Sequence, residues 1–235
     1  MKMNRPQRRG FTLVELLVVI VIIAALAGLT APMVIKQRKK ADQTEAISNA
    51  RQIGLALIEF ETEYGSYPDS STAATVKTNT ETKLEFGGNT SNDYFRQLIA
   101  TGITQAEQMF YCKTAFSKKP DTVMNTSETA LAKGEVGYGY IMNGDVAFSG
   151  AGSPSRPIIA APLAFPFADA TFDPDFYDGK AVILRMDNSA TSIPILNESK
   201  KAQLPGGKNL LAVSDGSVWG DAGTVTPTMV NPLPK

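Results

Sequence analysis

Residues 11–35 read FTLVELLVVIVIIAALAGLTAPMVI, an apolar run interrupted by one charge, Glu15. As a helix rising ~1.5 Å per residue, it spans ~37 Å, enough to cross a ~30 Å hydrocarbon layer with some tilt. A basic segment precedes it: residues 1–10 carry Lys2, Arg5, Arg8 and Arg9 and no acid. The 23 basic and 23 acidic residues of the chain cancel, so total charge gives no reason to expect nucleic acid as a ligand. Histidine does not occur and Cys112 is the lone cysteine. His-based catalytic triads, most zinc sites and any intramolecular disulfide are therefore excluded, and the chain does not read as an ordinary enzyme.

Three physical readings of the apolar run compete. It can be a plain anchor, or a secretory signal cut after Ala27, because Ala25-Leu26-Ala27 has the small-x-small form that signal peptidase accepts. Two features oppose the signal: the apolar run continues past Ala27 to Ile35, and it contains Glu15. A lone acid among apolar residues in a membrane costs a few kcal/mol, ~2.5–3.5 on insertion scales for Asp, Lys or Arg, so it calls for a function.

The third reading comes from a resemblance. Arg8-Arg9-Gly10 followed by Phe11-Thr12-Leu13-Val14-Glu15-Leu16 resembles the class III signal of type IV pilins and type II secretion pseudopilins. The resemblance implies cleavage between Gly10 and Phe11 by prepilin peptidase, N-methylation of Phe11 and retention of the helix. It implies that Glu15 meets the terminal amine of a neighbouring subunit in a filament, and that Pro32 loosens the helix. It also implies inner-membrane location, with a single pass and a periplasmic carboxyl-terminal head. Charge does not decide the orientation, because Lys36, Arg38, Lys39 and Lys40 after the span balance the four basic residues before it.

Beyond the span, Ala46, Ile47, Ala50, Ile53, Leu57, Ile58 and Tyr64 recur at three- and four-residue steps, the pattern of an amphipathic helix. Gly65 and Pro68 stop it. One helix over 11–64 rises ~80 Å at ~1.5 Å per residue, with 11–35 transmembrane and 36–64 packed on a soluble head of residues 65–235. Lys36 to Lys40 suit the lipid headgroup boundary. Glu59, Glu61 and Glu63 oppose the helix dipole, so they are either solvated or paired with a neighbour's basic cluster. The closing Gly65-Ser66-Tyr67-Pro68 again resembles many pseudopilins.

In the head, the Ser/Thr-rich residues 69–82 read as an exposed loop. Tyr94, Phe95, Leu98 and Ile99 fit a short helix ended by Gly102, and Thr104-Gln105-Ala106-Glu107 fits a capping box. Strand-like runs follow at 136–142, 157–161, 180–186, 191–196, 209–213 and 217–219, with tight turns at Asp187-Asn188 and Asp215-Gly216. The expected fold class is α+β and pilin-like: a long amino-terminal helix packed on an antiparallel sheet.

Asp173, Asp175 and Asp178 lack the spacing of an EF-hand, and Leu184 stands where its bidentate Glu is needed. Resemblance to major pseudopilins, which hold calcium near the carboxyl end, makes Asp215 and Asp221 calcium candidates; no other cofactor is expected. Cys112 is expected to be a buried, inert thiol. The implied function is a structural subunit whose partners are prepilin peptidase, other pilin subunits, the pilus or secretion assembly machinery and membrane lipid. The alternatives are a minor pilin or tip adhesin or uptake receptor whose head binds an external ligand, and a soluble protein released after Ala27.

Overall fold

The computed structural model describes residues 11–220, 223 and 225–235. The described elements are helices α1 (Leu13–Tyr64), α2 (Ser70–Thr80) and α3 (Ser91–Ala100), a short 3-10 turn (Glu107–Phe110), and strands β1 (Gly139–Asn143), β2 (Pro157–Ala161), β3 (Lys180–Arg185), β4 (Ala190–Pro194) and β5 (Pro227–Val230). The five strands form one antiparallel sheet in the order β4-β3-β2-β1-β5. The fold class is α+β. The chain divides into two compact units, a first ending at Lys39 and a second running from Lys40 to Lys235.

Within the second unit, α1 buries Ala46, Asn49, Ala50, Ile53, Gly54, Ala56, Leu57 and Phe60, close to the stripe read from the sequence. Ile58, expected in that stripe, is exposed together with Leu55. Polar contacts fix the docking of this half of the helix. Asn49 Nδ2 donates to the carbonyls of Gln108 and Tyr111 at 3.2 and 3.0 Å, and the Tyr138 hydroxyl donates to the Ala46 carbonyl at 2.8 Å. Gly54 lies against Asn188 and Leu184 so closely that a Cβ there would collide with the Asn188 side chain.

The Ser/Thr-rich segment is a helix rather than a loop. Asp69 caps α2 by accepting from the backbone N–H groups of Ser71 and Thr72, while Thr72 Oγ1 accepts from the Asp69 N–H. Val76 is fully buried and Thr72 nearly so, so capping and burial override the weak helix preference of Ser and Thr. Helix α3 forms where expected, capped by Thr90 and Asp93.

Other expectations change. Glu107 does not form a box with Thr104: the 3-10 turn has no side-chain cap, and the Glu107 carboxylate turns inward to accept from Leu131 N–H at 2.7 Å. Residues 209–213 and 217–219 are not strands. They form a loop pinned by Trp219, which stacks on Phe148 and donates Nε1–H to the Leu210 carbonyl at 2.7 Å. The strand that closes this edge is β5, which pairs with β1 from Tyr140↔Val230 to Asn143↔Pro227. Asp187-Asn188 joins β3 to β4 as read, whereas Asp215-Gly216 turns within a loop.

Candidate assembly site

Residues 11–35 present apolar surface on every side: Phe11, Leu13, Leu16, Ile20, Ile23, Leu29 and Met33 are all exposed. A helix apolar all round suits surroundings that are themselves apolar. Among the described residues, α1 is the one helix long and apolar enough to cross a membrane. Pro32 lies inside α1 without ending it. Its ring removes one i→i−4 hydrogen bond, and the helix continues on both sides of that gap.

At the start of α1, the chain builds a feature that the sequence reading passed over. Thr12 N–H donates to Glu15 Oε2 at 2.8 Å, and Thr12 Oγ1–H donates to the same oxygen at 2.7 Å. In return, Glu15 N–H donates to Thr12 Oγ1 at 3.2 Å. This is a reciprocal capping box, with Thr12 before the first helical residue and Glu15 three positions on. The acid therefore sits in the first turn, where the helix dipole favours negative charge, and not at mid-helix. The signal was present as Thr-x-x-Glu. Among the described residues, Oε1 of Glu15 has no bonded partner, so one carboxylate oxygen is left for another donor.

Phe11 stands just before this cap and is exposed. Gly10, the other half of the expected cleavage site, lies outside the described residues. So does Asp221. Asp215, its companion in the calcium expectation, is exposed on a turn whose backbone carbonyl accepts from Lys208 Nζ. Of the three acids late in α1, Glu59 and Glu63 are exposed, but Glu61 is engaged: its Oε1 accepts from the Gly150 N–H. That acid belongs to the packing of the head. Cys112 is buried as expected, and burial pushes its thiol up to about 12 despite opposing hydrogen bonds from Tyr177 and Tyr138.

Comparison with known proteins agrees with the motif. The family described as a prokaryotic N-terminal methylation motif matches residues 5–31. The chain is 38% identical over 64 residues to a type II secretion system core protein G of Pectobacterium carotovorum, covering 27% of this chain and 41% of that protein. It is 38% identical over 65 residues to the core protein G of Escherichia coli K12, covering 28% and 45%. To the type IV major pilin PilA of Myxococcus xanthus it is 39% identical over 64 residues, covering 27% and 29%. The chain thus spans less than half the length of these curated relatives, and no solved structure matches it. Over the segment that carries the methylation motif, the chain is similar to type IV pilins and type II secretion core proteins.

Proposed function

We propose that the chain is a structural subunit of a type IV pilus or type II secretion pseudopilus, a substrate of prepilin peptidase and not an enzyme. Residues 1–10 are the leader, 11–35 lie in the inner membrane, 36–64 continue the helix outward, and 65–235 form the periplasmic head. The observation that carries this reading is the motif segment itself: an unbroken helix, apolar on all sides, with its lone acid held in the first turn. The relatives, named as a secretion core protein and a major pilin, support it.

Cutting between Gly10 and Phe11 frees an α-amine whose ordinary pKa is ~8, so it is mostly protonated near neutral pH. One methyl group leaves that charge possible. In a bundle of apolar helices, a carboxylate and an ammonium cost far less together than apart. The Thr12 bonds hold the Glu15 carboxylate in place while Oε1 takes the neighbour's ammonium. Glu15 then sets the register between copies, and Phe11 supplies the charge it reads. Filament isolation tests the proposal. Sheared or overexpressed filaments from a strain making this chain contain it, and deletion of the prepilin peptidase removes it from them. Recovery of the chain only as a soluble exported protein contradicts the proposal.

A further inference from the structure

Three acids far apart in sequence converge in the head. Carboxylate oxygens of Glu107, Asp121 and Glu135 all lie within 4.8 Å of one another. Glu107 and Glu135 are 1% and 0% exposed, whereas Asp121 is open to solvent. Each buried acid spends one oxygen on the backbone. Leu131 N–H donates to Glu107 Oε1 and Ala132 N–H donates to Glu135 Oε2, both at 2.7 Å. The second oxygens, Glu107 Oε2 and Glu135 Oε1, are buried and accept no hydrogen bond.

The loop that presents these donors is itself fixed. Arg96 Nε donates to the Ala130 carbonyl and Asn92 Nδ2 to the Leu131 carbonyl, each at 2.8 Å. Arg96 is committed elsewhere as well, in a 2.6 Å ion pair with Asp93. The nearby cation is Lys118, whose Nζ lies 3.1 Å from Glu135 Oε1 but off the direction of a hydrogen bond, on a side chain 46% exposed. Three carboxylates and one ammonium leave a local charge of minus two. Glu107 Oε2 is buried with no partner, and Glu135 Oε1 has only the half-exposed Lys118 beside it, an arrangement that is costly unless a further cation meets it.

We propose that Glu107, Asp121 and Glu135 bind a divalent cation of the calcium type. The donors are all oxygen, which selects hard cations over zinc or copper. Ligands of a calcium ion at ~2.4 Å each stand no more than ~4.8 Å apart, a limit that the three carboxylates meet, while magnesium demands shorter bonds and a stricter octahedron. The exposed Asp121 gives the ion its route in and leaves room for water to complete the shell. The ion joins the 3-10 turn, the segment carrying Asp121 and the turn before β1, three irregular pieces held together by little regular structure. This site is separate from the Asp215 and Asp221 pair and does not depend on the filament proposal.

Full-length protein in detergent, stripped with a chelator and then titrated with calcium chloride, tests the site by calorimetry and by melting temperature. A saturable rise in melting temperature and one binding event per chain are expected. Asp121→Asn, at an exposed position where folding is safe, weakens calcium at least tenfold; Asp215→Asn leaves the affinity unchanged. Lys118→Gln tightens binding, because a competing positive charge is gone. No binding heat and a melting temperature indifferent to calcium overturn the proposal, and mean that protons or Lys118 alone satisfy the cluster. Calcium affinity lost in Asp215→Asn but kept in Asp121→Asn overturns it too.

Discussion

Glu15 has two jobs that separate by substitution. One is local: its carboxylate and the Thr12 hydroxyl complete a capping box at the head of α1. The other is the pairing proposed between subunits. Glu15→Gln keeps the cap, since Gln serves equally at that position of a capping box, but it removes the charge. The neighbour's ammonium is then left unpaired in an apolar bundle, a loss in assembly of roughly a hundred-fold or more. Thr12→Ala does the reverse. It removes the hydroxyl that accepts Glu15 N–H and orients Oε2, costing ~1 kcal/mol, about fivefold, and it leaves the carboxylate free to pair. The assay is the amount of chain in the sheared filament fraction, normalised to membrane-inserted, processed chain in the same cells. Glu15→Gln empties the filament fraction while processing proceeds; Thr12→Ala reduces it by a few-fold at most. Equal losses, or the larger loss in Thr12→Ala, refute the pairing and make Glu15 a helix cap alone.

Three further outcomes test the head. Gly137→Ala places a Cβ 2.6 Å from both the carbonyl oxygen and the sulfur of Cys112; with backbone unable to yield, thermal melting shows a loss of at least ~2 kcal/mol. Asp69→Ala removes the cap of α2 and strands the buried Ala147 N–H, which donates to Asp69 Oδ2 at 3.1 Å, and denaturant titration reads a loss of about 2–4 kcal/mol. Burial raises the Cys112 thiol to about 12, above its ordinary ~8.5, so the native state holds that proton more tightly than the unfolded chain. Its contribution to stability is complete below pH ~8.5 and lost as pH rises toward 12. At pH 8 the thiol reacts with a maleimide only after unfolding, and rapid native labelling would disprove the burial.

The sequence disclosed most where a physical pattern was strong and local. The apolar run, the period of α1 beyond it, α3, and strands β2 to β4 follow from spacing alone, because burial on one face leaves an uninterrupted mark. The misreadings share a cause. Residues 70–80 look polar and loop-like, yet Asp69 supplies a cap and Val76 a buried anchor, neither visible to a composition argument. Residues 217–219 look like a strand because Trp219 is apolar, whereas its burial comes from stacking on Phe148. β5 is hidden in a Pro- and Thr-rich tail, since an edge strand is made by its partner β1. At the amino terminus, Thr12-x-x-Glu15 is itself the sequence signature of the capping box. The acid cluster was not legible: Glu107, Asp121 and Glu135 have no motif spacing, and only the fold brings them together.

The proposal that α1 is retained and assembled through its first turn is tested most directly by the intact mass and terminal sequence of the chain extracted from membranes. A product that begins at Phe11, one methyl group heavier than the unmodified residue and still joined to all of 11–35, is the predicted result. A product that begins after Ala27, or one that keeps residues 1–10 in cells with an active prepilin peptidase, contradicts it.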